Sequence, residues 1–369
     1  MDVRSRRPAV VAAMAICLGI AGSLLIAEMM VRWLLPQERM ATWIEMHPSG
    51  FVANQSGGAS FQEWDGEQIN YRFTDTRLRQ HPGRSDAADE EQRILLLGDS
   101  FTFGLLLNEE ETYAYHLQQA VGSFYPPATI LNAGVGGAGL ADWPHWLDHF
   151  GEAAEPDMVL LFLNTADIDR ALSKNLFVLN RETGEMISSQ RWRPTRTYRW
   201  LGRNRLHLFL QRHSHLANII ERLLWRHLYF TDLTNEFDIN QSTVPIPKAE
   251  ELAVESGYSM ALTLALISRM QEWCRANGCR LIVTTTGFFG GEPEPGEQYT
   301  HHVMNSLPES LPHAVPFMDN TECVMNAAAG NLDTIRIPGD SHPSAEGARA
   351  IADCTLQWLP TLLQNESRQ

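Results

Sequence analysis

Arg93-Ile94-Leu95-Leu96-Leu97-Gly98-Asp99-Ser100 is the stretch from which the rest of the chain is read. An apolar run of strand length that stops at Gly-Asp-Ser fits a strand buried on both faces of a parallel sheet, since both faces need apolar cover and the chain must then turn. Beyond the turn, Glu109 to Val121 places acids in its first turn and apolar residues at helical spacing, so it is expected to be a helix. A serine in the tight turn between them stands at the carboxyl edge of the sheet, where backbone N–H groups can hold an oxyanion. Alone, Gly-Asp-Ser is a common tripeptide; its place after a buried strand gives it weight.

The alternation repeats outward. Thr129 to Asn132 reads as a second strand, ended by Gly134, Gly136, Gly137 and Gly139, with a helix from Ala141 to Ala153. Asp157 to Leu163 is a third buried strand, Gly257 to Ala276 a helix, Arg280 to Thr285 a fourth strand and Val315 to Met318 a fifth. Ser344 to Leu359 closes the chain as a helix, with Pro360 past its end. Alternating strands and helices imply a parallel sheet covered on both faces, with ligands bound outside the carboxyl ends of the strands.

Two segments fall outside this pattern. From Pro8 to Ala27 the chain carries no charge over 20 residues, enough to cross a ~30 Å hydrocarbon core as a helix. Arg4, Arg6 and Arg7 precede it and Trp33 and Pro36 follow, so the positive-inside rule keeps the N-terminus in the cytoplasm and everything after about residue 36 outside. An uncleaved anchor, a cleaved signal peptide and a buried soluble helix compete here. Ile26-Ala27-Glu28-Met29 offers no good cleavage site and the apolar run continues through Leu35, which favours the anchor. The second segment is an insertion at about 171–252. Within it, Arg191 to Arg226 holds nine arginines and one acid, Glu221, interleaved with Trp192, Tyr198, Trp200, Phe209 and Trp225. It reads as a solvated helical insertion, as a surface for anionic lipid headgroups or an anionic glycan, or, least well for an exported chain, as a nucleic-acid surface.

Composition narrows the classes. Of 369 residues 44% are hydrophobic, too many for a disordered chain. A formal net charge of -15 argues against nucleic acid as a partner. The five cysteines form no C-x-x-C pair and no Cys/His ligand set, so no metal site is expected. In an oxidising compartment Cys274 with Cys279 and Cys323 with Cys354 are conceivable disulfides, and free thiols are the alternative.

A nucleophilic serine needs a base, and the base an orienting carboxylate. Near the C-terminus Pro338-Gly339-Asp340-Ser341-His342-Pro343 supplies both just before the closing helix. Of the 13 histidines, the pairs His145 and His149, His213 and His215, and His301 and His302 lack such a context. With these residues in view the sequence resembles the SGNH/GDSL hydrolase family. Gly98-Asp99-Ser100 matches its first block, and the run through Phe101-Thr102-Phe103-Gly104 is similar to membrane-anchored bacterial members. The glycines after Asn132 match the second block, with Gly137 as the implied oxyanion donor. Asp340 and His342 match the last block at Asp-x-His spacing, where many members have Asp-x-x-His. The third block, usually Gly-x-Asn-Asp, departs: aligned on Asp167 it puts Ala166 where the Asn belongs, and Asn164 serves only if the loop is shortened or re-aimed.

The resemblance implies a flavodoxin-like three-layer α/β/α sandwich with a parallel sheet, the SGNH hydrolase fold, plus an N-terminal transmembrane helix. It implies catalysis by Ser100, His342 and Asp340, an oxyanion hole of Ser100, Gly137 and Asn164, and no metal or cofactor. The expected organisation is a cytoplasmic tail and anchor over 1–36, a linker and lead-in over 37–91 with one short strand near Asn70 to Phe73, and the hydrolase-like domain over 92–369. The expected activity is a serine esterase removing a small acyl group, acetyl above all, from a cell-envelope carbohydrate or related ester. An exopolysaccharide O-acyltransferase using the same triad and a non-catalytic envelope binding or assembly protein are the alternatives. Expected partners are the acylated substrate, the membrane, and a membrane acyltransferase or polysaccharide-export protein; the expected location is the inner membrane, single-pass, with the domain in the periplasm.

Overall fold

In a computed structural model, which describes residues 6–80, 92–122, 128–180, 183–188, 200–201, 204–229, 256–288 and 298–364, the chain forms two compact units. One comprises residues 1–42, 61–68 and 194–232; the other comprises 43–60, 69–193 and 233–369. Much of the arginine-rich stretch, including Arg191, Arg193, Arg196, Arg199, Arg203, Trp192 and Tyr198, lies outside the described residues.

The chain begins with α1 (Arg6–Leu34), whose segment Val11–Leu34 is long and apolar enough to cross a membrane and is not buried against protein. The lead-in, read from sequence as irregular with one strand, holds four short strands: β1 (Ile44–Met46), β2 (Val52–Asn54), β3 (Ala59–Trp64) and β4 (Glu67–Arg72). β1 pairs antiparallel with β2, and β3 and β4 pair across the Asp65-Gly66 turn, both residues at positive φ.

The apolar runs then become strands where their composition places them: β5 (Gln92–Leu97), β6 (Ala128–Asn132), β7 (Met158–Leu163), β10 (Arg280–Thr285) and the short β11 (Phe317–Met318). They form one parallel sheet in the order β11-β10-β7-β5-β6. Numbered within the sheet this is 2-1-3-4-5, the flavodoxin-like order, whose direction of winding reverses between β5 and β7. Every residue of β6 and β7 is buried, which explains why they read as continuous apolar runs rather than as alternating ones.

Helices cover both faces. Between β5 and β6 come α2 (Ser100–Phe103) and α3 (Tyr113–Val121); between β6 and β7 come α4 (Asp142–Trp146), one π-helical turn over Leu147–Gly151, and α5 (Glu152–Ala154). After β7 follow α6 (Thr165–Lys174), a two-stranded β8 (Phe177–Leu179) and β9 (Met186–Ser188), α7 (Arg205–His213), α8 (His215–Tyr229) and α9 (Ser256–Ala276). Beyond β10 lie α10 (Gln298–Ser310), α11 (Thr321–Ala327), α12 (Ala345–Leu356) and α13 (Leu359–Gln364). Pro360 sits in the first turn of α13 rather than beyond the last helix, a position where its missing N–H costs nothing. Helices α3, α11 and α12 pack together, as do α4, α6, α9 and α10, which makes three layers. Leu95, Leu97, Leu131, Val159, Leu161, Leu281 and Val283 share one core with Trp143, Trp146, Leu266 and Met270.

Cys323 and Cys354 form a disulfide between α11 and α12. Cys274 and Cys279 are buried thiols, so only one of the two conceivable pairs is bridged.

His145, 7% exposed, stacks between the Phe51 and Phe177 rings, and burial holds its imidazole down at about 4. The unfolded chain takes up that proton near pH 6.5, so stability falls as the pH drops from about 6.5 towards 4, by ~3 kcal/mol in all for this group. Denaturation midpoints at pH 7 and pH 4.5 are expected to lie closer together in His145→Phe than in the parent; an unchanged gap overturns the assignment.

Candidate active site

Ser100 begins α2 directly beyond β5, and its side chain is set by the turn before it. Asp99 caps the helix by accepting from the Phe101 N–H at 2.9 Å. Gly98 leaves room for Thr102, whose Oγ1 would lie 1.9 Å from any added Cβ. Gly134 lets the second loop close on this turn, because a Cβ there would meet the Phe103 backbone nitrogen at 2.2 Å.

The loop before α12 brings in the base. The Asp340 carboxylate accepts from the His342 backbone N–H at 2.8 Å and from the imidazole Nδ1, so one carboxylate oxygen fixes both ends of the histidine. The i to i+2 spacing is what makes this double contact possible. A carboxylate only accepts, so Nδ1 carries the ring proton and Nε2 is left as an acceptor. Nε2 lies 2.7 Å from Ser100 Oγ, across 242 residues of sequence. Ser100 is 5% exposed, and the His342 ring faces Phe101 at 5.1 Å, with Phe288 edge-on to Phe101. Hydroxyl, imidazole and carboxylate in series can draw the proton from an attacking serine.

The two other implied residues follow neighbouring strands. In the sheet Leu97 is level with Leu161, so Ser100 and Asn164 both stand three residues beyond a matched pair. Asn164 caps α6: its Oδ1 accepts from the Thr165 N–H at 2.8 Å, and its own N–H donates to Asp167 at 2.8 Å. With Oδ1 so occupied, the side-chain NH₂ is the end left for another partner. Ala166, the alternative from strict alignment, has no side-chain donor. Gly137 is exposed at φ +73°, and its carbonyl accepts from Lys174 Nζ at 2.7 Å.

The sequence reading missed the groups that hold these loops together. Arg170 Nη1 donates to Asp99 at 2.9 Å, to the Ala138 carbonyl at 2.9 Å and to Asp167 at 3.2 Å, one contact with each of the three loops. Burial first, then the adjacent Asp99, pushes the Asp167 carboxyl well above its ordinary range, and Arg170 opposes this. Lys174, one turn on, also pairs with buried Asp142 at 2.8 Å. Arg79, 1% exposed, donates to the carbonyls of Phe103, Gly104 and Leu107 just past the Ser100 helix, beneath the Tyr71 and Phe103 rings. Burial brings its guanidinium down to about 10. The signal available in sequence was the Asp167, Arg170, Lys174 spacing on one face of α6. Among the described residues no group of three or more His, Cys, Asp or Glu is placed to hold a metal ion.

Removing Arg170 leaves two buried carboxylates, Asp99 and Asp167, without their cation. Arg170→Met is expected to cost ~3–5 kcal/mol, and Asp167→Asn in the same chain to recover part of that loss. A denaturation double-mutant cycle with purely additive effects would show that the pair is not coupled.

Comparison with known proteins adds a family and a set of folds. The family model described as the GDSL-like Lipase/Acylhydrolase family matches residues 96–350. Similar solved structures include a putative lipolytic protein of the G-D-S-L family from Desulfitobacterium hafniense DCB-2, at 14% identity, TM-score 0.40, and coverage of 73% of this chain and 100% of that one. Axe2, an acetylxylan esterase from Geobacillus stearothermophilus, is also similar, at 14% identity, TM-score 0.40, and coverage of 73% and 95%. The psychrotrophic esterase EstA from Pseudoalteromonas sp., inhibited by monoethylphosphonate, has 14% identity, TM-score 0.39, and coverage of 74% and 100%. No curated protein matches the chain.

Proposed function

We propose that this chain, which belongs to the GDSL-like lipase/acylhydrolase family and is a hydrolase of ester bonds, is a serine esterase with Ser100 as nucleophile, His342 as base and Asp340 as its orienting acid. The observation that carries the assignment is the hydrogen-bonded series from Asp340 through His342 to Ser100 at the carboxyl end of β5. It stands where the winding of the sheet reverses, the place where open α/β sheets bind ligands.

In this reading the Ser100 hydroxyl attacks the ester carbonyl as His342 Nε2 takes its proton. The negative charge that develops on the carbonyl oxygen is met by the N–H groups of Ser100 and Gly137 and by the Asn164 side chain. His342 then returns the proton to the leaving alcohol, and water repeats the sequence on the acyl-enzyme. Asp340 stabilises the imidazolium without taking a proton. The anchor α1 would hold this site at the outer face of the cytoplasmic membrane. That placement supports a cell-envelope ester as the substrate, and the ester proposed is that of a small acyl group, acetyl above all, on a carbohydrate.

Ser100→Ala is expected to lower kcat on p-nitrophenyl acetate by at least about 10³-fold, and Asn164→Ala by about 10²-fold with KM little changed. A Ser100→Ala variant as fast as the parent overturns the triad. A product that forms only when an acceptor glycan is added would move the assignment from hydrolase to acyltransferase.

A further inference from the structure

In the unit built from residues 1–42, 61–68 and 194–232, α7 and α8 pack with the opposite polarity to that of a soluble helix pair. Their shared interior is polar. Gln211 and Asn218, each 7% exposed, meet there: Gln211 donates to Glu221 at 2.8 Å, and Asn218 donates to the carbonyls of Gln211 and Ser214. Their outer faces carry large apolar side chains beside a few arginines. Leu206 (65% exposed), Phe209 (58%) and Leu210 recur at helical spacing on α7, and Ile220, Leu223 (74%) and Leu224 do so on α8. Water does not favour this arrangement; an apolar medium outside the pair does.

The corner between the two helices is fixed to α1. Glu28 accepts from the Ser214 hydroxyl at 2.8 Å and from the N–H groups of His215 at 3.0 Å and Leu216 at 2.9 Å. Arg32 donates to the His213 carbonyl at 2.9 Å, and the Gln37 N–H donates to His215 Nδ1 at 2.8 Å. These contacts fall at the end of the apolar segment Val11–Leu34, where Leu25, Met29 and Trp33 are exposed too. The medium that solvates α1 therefore continues onto the outer faces of α7 and α8. Arg205 and Arg212 are exposed on α7 as well.

We infer that α7 and α8 form a collar lying in the headgroup layer of the bilayer around the end of α1, with Leu206, Phe209 and Leu223 among the acyl chains and Arg205 and Arg212 on the phosphates of anionic phospholipids. The inference rests on α1 being a retained membrane anchor. An interfacial helix pair needs both features: apolar side chains for the acyl boundary and guanidinium groups for phosphate oxygens.

The test uses the full chain reconstituted into vesicles of phosphatidylcholine, alone or mixed with phosphatidylglycerol. An NBD fluorophore is attached through Phe209→Cys or Leu223→Cys in a Cys17→Ser background, the remaining thiols being buried or bridged. The emission is expected to shift to the blue on reconstitution and to be quenched about twofold or more by lipids carrying a doxyl group near the headgroup. Phosphatidylglycerol should deepen the quenching, and Arg205→Glu with Arg212→Glu should abolish that increment while hydrolysis of p-nitrophenyl acetate is unchanged. Flotation with the vesicles reads the anchor separately. A chain that does not float overturns the anchor and the collar together. A chain that floats with its fluorophore water-exposed and unquenched overturns the collar alone and assigns the apolar face to a protein partner. Quenching that is indifferent to phosphatidylglycerol overturns the role given to the two arginines.

Discussion

One guanidinium group organises the unit that carries the candidate site. Arg170 joins the loop after β5, the loop after β6 and the start of α6 after β7, through Asp99, the Ala138 carbonyl and Asp167. Two carboxylates buried to 0–2% exposure beside one another would otherwise repel, and each would lose its hydration at a cost of several kcal/mol. A single cation between them answers both problems, and in doing so it fixes the spacing of the three loops that carry Ser100, Gly137 and Asn164. A half-buried cation bridging two buried carboxylates thus ties the three segments to one another.

Arg79 does related work without a carboxylate. Its fork takes three carbonyls at the far end of the Ser100 helix, and its own backbone N–H donates to Asn132 at 2.8 Å. Carbonyl dipoles and two aromatic faces replace the counter-ion. The lead-in therefore belongs to the machinery that positions Ser100, since Trp43, Tyr71 and Phe73 also pack against Phe103. A segment read from its polar sequence as connecting chain supplies part of the floor of the Ser100 turn.

The legible parts of this structure share a physical reason. Strands buried on both faces must be apolar throughout, so β5, β7 and β10 stand out in the sequence within a residue of their ends. Ser100 and His342 were legible because each adjoins a strong signal, a buried strand in one case and a capped helix in the other. Of the lead-in strands the sequence offered one near Asn70 to Phe73, which overlaps the alternating end of β4; β1 and β2, at three residues each, are too short to show a period, and β3 is irregularly buried. The contacts of Arg170 with Asp99 and Ala138 and those of Arg79 with three backbone carbonyls were not legible, because they join groups 24 to 71 residues apart through the fold. Asn164 sits between the two cases: alignment on Asp167 pointed to Ala166, whereas Asn164 and Ser100 each follow by three residues a pair matched in the sheet, Leu161 and Leu97. Asp167 makes the difference, for it accepts the Asn164 N–H and so belongs to the cap of α6.

The bridge from Cys323 to Cys354 closes a ring of chain that contains Asp340 and His342, its ends 31 positions apart in sequence. In the chain-entropy account a ring of this length removes roughly 4 kcal/mol of freedom from the unfolded state. Its other consequence is topological. The turn at Ala329 and Gly330, exposed and at positive φ, is the kind of tip that proteases find first. A cut there opens the ring but leaves both fragments covalently joined, so the histidine stays tethered to the helix layer against which its loop is folded.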